Sequence, residues 1–89
     1  MTSIEAMSSR LHRSWSVLAS YQTFEGDRCV DLFRRTDATF GFEEFRRDPE
    51  DMGAWTAVGY FSNFEFASED AVVAGARRSV PWLDSMLER

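Results

Sequence analysis

Phe33-Arg34-Arg35 and Phe45-Arg46-Arg47 are the same triplet, and the stretch between them holds a turn signal followed by rings and acids. A repeat placed across a turn is what the two arms of one hairpin look like. Pairing the arms about Asp37-Ala38 sets Arg35 opposite Phe40, Arg34 opposite Gly41 and Phe33 opposite Phe42, the last an aromatic cross-strand pair. Ala38 tolerates positive φ poorly, so a type I turn within a four-residue loop is expected over Thr36–Thr39. Continued without adjustment, this register sets Asp31 against Glu44, and like charges directly opposite destabilise a sheet. A β-bulge at Glu43-Glu44 would move Asp31 toward Phe45. The lapse in alternation among Phe40, Phe42 and Phe45 points to the same place.

The neighbouring text extends the hairpin into a meander. WSVLASYQTF, Trp15 to Phe24, reads as a first strand whose phase breaks at Leu18. Gly26-Asp27 suits a two-residue turn, because glycine accepts positive φ without steric cost. Cys29–Arg35 is the second strand and Phe40–Arg47 the third. Asp48 to Gly53 is a loop, and a fourth strand begins at Ala54 in AWTAVGYFS.

Beyond Asn63 the period changes. Ser68 is an N-cap, Glu69 and Asp70 fill the first turn, and Val72, Ala76 and Val80 lie along one stripe with Val73 beside it. Arg77 and Arg78 fall in the last turn, where the helix dipole favours cations. Pro81 ends this helix and opens a second short one in PWLDSML. At the other end, Ile4, Met7, Leu11 and Trp15 recur at helical spacing, and Thr2 and Glu5 have capping-box spacing. Residues 1–13 are therefore either a short helix or a frayed end. The expected fold is α+β in a single domain over 1–89. A four-stranded antiparallel meander over 15–62 is followed by a helical C-terminus over 68–88, packed on one sheet face.

Composition excludes several roles. Net charge is −5, and the basic residues are all Arg. An acidic chain lacks the electrostatic footprint of a nucleic-acid binder, and the absence of lysine removes Schiff-base chemistry. No run approaches the ~20 apolar residues of a membrane helix. The N-terminus lacks the apolar core of a secretory signal. One cysteine, Cys29, allows no internal disulfide, which suits the cytoplasm.

Candidate chemistry is sparse. A nucleophile pair would need His12 near Cys29, and nothing in the order of elements brings them together; buried cysteine is more often an apolar filler. One His and one Cys cannot build the usual zinc sets. Asp48 to Gly53 has acids and a glycine at calcium-loop positions, but Met52 and Gly59 stand where ligands are required. No catalytic residue, cofactor or metal is assigned, and an enzyme is the third reading. Glu43, Glu44, Arg46 and Tyr60 are the polar groups such a reading would test.

"DLFRRTDATFGFEEFRRDPED", Asp31 to Asp51, with Trp55 and the closing "VPWL", resembles a family of short uncharacterised bacterial proteins. The resemblance implies a small soluble bacterial domain and carries over no activity, ligand or catalytic residue.

Thirteen aromatic residues, eight Phe, three Trp and two Tyr, are many for 89 positions. In the expected register one sheet face collects Phe24, Cys29, Phe33, Phe40 and Phe42, and the other Tyr21, Thr23, Val30 and Leu32. One helix of small residues covers one face. Surplus apolar surface marks an interaction site, so the leading expectation is an accessory domain that forms a homodimer through Phe24, Phe33, Phe40, Phe42, Trp55 and Phe61. The alternative is a small anion or acidic metabolite held by Arg34, Arg35, Arg46 and Arg47. Against it stands strand geometry, which sends adjacent arginines to opposite faces. A ladder of solvated ion pairs is the commoner outcome.

Overall fold

The computed structural model describes residues 11–88. Strands β1 (Ser16–Gln22), β2 (Arg28–Arg34), β3 (Phe40–Arg47) and β4 (Trp55–Ala57) form one antiparallel sheet in the order β1-β2-β3-β4. Helices α1 (Glu69–Ser79) and α2 (Pro81–Leu87) follow. The fold is α+β, as the change of period foretells. The expected N-terminal helix lies outside the described residues except for Leu11 to Arg13, which are not helical.

The helices start and stop where their sequence says. The Ser68 hydroxyl accepts the Ala71 N–H at the N-cap, acids occupy the first turn of α1, and Arg77 and Arg78 the last. Val80 closes α1, and Pro81 opens α2, where its missing N–H costs nothing. Val72, Ala76, Val80 and Leu83 pack on Val30, Leu32 and Phe42 of the sheet to make the core. Each buried Val, Leu or Phe among them contributes about 1.5–3 kcal/mol from apolar burial. Phe66 joins this core, and Gly75 lets its ring lie against α1: a Cβ at Gly75 would stand 2.6 Å from Phe66 Cε2.

Three details of the sheet correct the sequence reading. The β2–β3 register is one residue away from the expected one: Arg34 pairs with Phe40, Phe33 with Gly41 and Leu32 with Phe42. The cause is Ala38, which does take positive φ, at 72°. This lengthens the loop to five residues, closed by the Arg35 N–H donating to Thr39 O. Phe42 therefore moves to the helix-covered face with Val30 and Leu32, while Phe33 shares the opposite face with Cys29 and Asp31. Second, β3 has no bulge, and Asp31 stands directly opposite Glu43. The irregularity lies in β1 between Val17 and Ala19, at Leu18. Third, β4 is three residues long rather than running through AWTAVGYFS. After Val58, whose N–H still donates to Glu44 O at 2.9 Å, the chain leaves the ladder, and Tyr60 adopts φ 57° ahead of a 3₁₀ turn over Phe61–Asn63. It returns to β3 as a bridge between Phe66 and Phe40.

Both sheet faces are enclosed. On the face away from the helices, Cys29, Asp31, Phe33, Glu43 and Phe45 are all buried. The Trp15 ring stacks on Phe33 with centroids 4.5 Å apart.

Candidate functional site

The residues expected to form an interaction face separate into interior and surface. Phe33 and Phe42 are fully buried on opposite faces. Phe40 and Phe61 are partly buried against the core, with the Phe61 ring stacked on Phe42 at 4.9 Å. Trp55 lies under the Arg47 guanidinium, 4.5 Å from its ring centroid. Phe24 alone of the six is wholly exposed, at 101%.

The four arginines of the anion reading do not converge. Arg34 and Arg46 lie on the same face at opposite ends of the hairpin, roughly 20 Å apart along the strands. Arg46 pairs with Asp48 at 3.3 Å. Arg47 donates to Gly26 O at 2.8 Å while stacking on Trp55. The Arg35 guanidinium donates to Phe40 O, Ser62 O and Phe64 O and sits over the Trp15 ring. Arg28 stands opposite Arg46, and Glu44 relieves that like-charge pair by accepting from Arg28 Nη1 at 3.1 Å.

Of the polar groups weighed for catalysis, Glu43, Glu44 and Arg46 are likewise engaged. Glu43 accepts the Phe61 and Ser62 N–H groups at 3.2 and 2.9 Å, and Glu44 accepts the Trp82 indole N–H at 2.8 Å. Tyr60 is exposed and makes no such contact with them. His12 binds Ser14 through Nδ1 and faces Trp15, away from the Cys29 end of β2. Cys29 instead meets the Ser20 hydroxyl at 3.5 Å and donates to Asp31 Oδ1 at 3.3 Å. No group of acids, His and Cys suited to a metal ion occurs among the described residues. No helix among them is long and apolar enough to cross a membrane.

Trp82 marks a surface that combines apolar residues with low charge. Pro81 fixes the start of α2, and the Glu44 carboxylate, itself buried on the sheet, pins the indole through Nε1. The ring then lines a groove of about 750 Å³ between α2 and the β1–β2 hairpin, together with Gln22, Thr23, Phe24, Ser85 and Met86. Glu25 is the only charged residue that lines it among the described residues. Two other grooves are charged. One, about 570 Å³, has Asp70, Arg77, Arg78 and Asp84 in its walls. There the hydrogen bond from Arg77 to Asp84, 2.7 Å long, raises the guanidinium pKa further above its ordinary value. The other, about 310 Å³, has Glu25, Asp27, Arg47 and Asp48.

Phe24 stands out in the sequence as a ring beside a turn. The partnership of Trp82 with Glu44 does not, because 38 positions separate them and no periodicity links a helix residue to a strand carboxylate. Comparison with protein-family models, with curated proteins and with solved structures finds no match for this chain.

Proposed function

We propose that the chain is a small interaction module that self-associates, and that two copies meet at the Phe24–Trp82–Met86 groove rather than across a sheet face. The observation that carries this reading is the fully exposed Phe24 ring beside an apolar groove whose tryptophan is held in place. In a two-fold pair each copy presents the same patch, so one copy's Phe24 would fill the other's groove and receive its partner in return. Charge favours this location. Each copy carries −5, and among the described residues that line the groove Glu25 is the single acid each copy would bring. An aromatic ring buries roughly 150–250 Å², so two Phe24 rings supply part of the ~1,000 Å² a specific interface needs. The pair is therefore a weak one. The lone cysteine agrees with a reducing compartment, and we take the module to act in the cytoplasm of a bacterium.

Light scattering coupled to size exclusion tests this. The wild type should rise from 10.3 kDa toward twice that mass with concentration, and added salt should not weaken the pair. Phe24→Asp should stay monomeric with an unchanged melting curve, because Phe24 contributes nothing to the core. A wild type that stays at the monomer mass at high micromolar concentration, or a Phe24→Asp variant that still pairs, overturns the proposal.

A further inference from the structure

The segment 58–66, the strap, runs beside the start of β3 without joining it as a strand, and two charged side chains take the place of the missing ladder. Glu43 accepts the N–H groups of Phe61 and Ser62. Arg35 can only donate, and it gives to the carbonyls of Ser62 and Phe64. Phe66 closes the far end by exchanging both backbone bonds with Phe40, at 2.8 and 2.9 Å. Phe61 anchors the middle on Phe42.

This clamp holds large apolar residues out in water. Val58 is exposed, Tyr60 is 68% exposed and Phe64 60%. Tyr60 also occupies left-handed backbone at φ 57°, a region disfavoured for any side chain. Strain with no burial in return is characteristic of positions kept for recognition, and rigid support beneath an exposed aromatic lowers the entropy lost on binding. We propose that the strap is a second docking surface, for a protein segment whose apolar face is bordered by Lys or Arg.

Charge selects that partner over a second copy. From Val58 to Ala76 the sequence contains three acids, Glu65, Glu69 and Asp70, and no Arg, Lys or His. Glu65 within the strap and Glu69 just beyond it are exposed, and the Arg35 guanidinium beside the strap is committed to its carbonyls. Two copies meeting here would set acid against acid, whereas a basic rim would be drawn in.

The test is amide chemical-shift mapping on labelled protein with three synthetic peptides: an amphipathic Leu/Arg helix, its Leu/Glu counterpart and an Arg/Ser peptide of equal charge. The Leu/Arg peptide should move resonances of residues 58–66 and the other two should not. Tyr60→Ser with Phe64→Ser should weaken its binding by about tenfold or more, with the remaining spectrum unchanged because both rings lie outside the core. No binding, shifts elsewhere, equal binding of the Arg/Ser peptide, or full affinity in the double variant overturns the proposal.

Discussion

Asp31 and Glu43 stand directly opposite each other on β2 and β3, on the same sheet face, and both are buried. Two carboxylates so placed would repel if they shared surroundings, but they turn apart. Asp31 Oδ1 accepts from the Ser20 hydroxyl of β1 at 2.6 Å and from Cys29 Sγ. Glu43 reaches the other way, over the edge of β3, to the N–H groups that open the 3₁₀ turn. The sheet tolerates the pair because each acid has its own donors, which removes the need for a bulge in β3.

Glu43→Ala should therefore act through the strap. It strands the Phe61 and Ser62 N–H groups, and such a loss costs about 1–3 kcal/mol. Glu43→Gln keeps one acceptor oxygen and should cost less. Urea unfolding gives the totals, and hydrogen exchange should accelerate first at Phe61 and Ser62. Uniform acceleration across all four strands would instead mean that the strap and the sheet open as one unit.

Gly41→Ala should displace Arg35. A Cβ at this position would lie 2.7 Å from Phe33 Cε1 and 2.8 Å from Arg35 Nη2, so the guanidinium reaches the strap only because position 41 has no side chain. Crowding of this kind costs about 1–3 kcal/mol. With Arg35→Ala already in place part of the clash is gone, so the double variant should be more stable than the two single costs added together. A double-mutant cycle by urea unfolding measures that coupling, expected at about 0.5–3 kcal/mol.

The helices were legible because each signal is local: Ser68 caps, Val72, Ala76 and Val80 keep their stripe, and Pro81 marks the break. The meander order was legible from the turn signal at Gly26-Asp27 and from the repeated triplet, although the first turn is the four residues from Phe24 to Asp27, with the Thr23 N–H donating to Arg28 O, and not the two expected. Register was not, because it turned on one backbone angle. Alanine argues against positive φ, yet Asp37 bonds to the Thr39 N–H and hydroxyl and holds the loop around Ala38. A one-residue shift then exchanges faces along an entire strand. The phase break at Leu18 was visible in the sequence and is where β1 is irregular, whereas the doubled acid at Glu43-Glu44 gave a false signal. The groove was half legible. Phe24 has the look of a surface ring, but Trp82 acquires its place through Glu44, a contact set by tertiary packing.

Asp37 should make the loop sensitive to acid. Its hydrogen bond from the Thr39 hydroxyl, then that from the Thr39 N–H, holds the carboxyl below the usual aspartate range. A carboxyl depressed by folding stabilises the native state above its unfolded-state value, and that contribution is lost as pH falls through the folded value. Asp37→Asn has no such titration. The stability difference between wild type and Asp37→Asn, read from urea midpoints, should be largest near neutrality and shrink as the pH drops through the acidic carboxylate range. A difference independent of pH would mean that the side-chain oxygen acts without its charge.

Ala38→Gly should stabilise the protein, against the usual direction for glycine. Left-handed backbone costs an L-residue roughly 1–2 kcal/mol, and Ala38 sits there at φ 72°. Glycine removes that cost and adds about 0.5–1 kcal/mol of unfolded-chain entropy, leaving a net gain of up to about 1.5 kcal/mol. Ala38 is exposed, so no packing is lost. Ala38→Val reverses the sign, because a β-branched side chain fits this region worse than alanine does. A urea midpoint raised by glycine and lowered by valine, at equal slope, would place the difference in the loop backbone. A midpoint lowered by both would mean that the five-residue loop and the β2–β3 register do not depend on a left-handed residue at position 38.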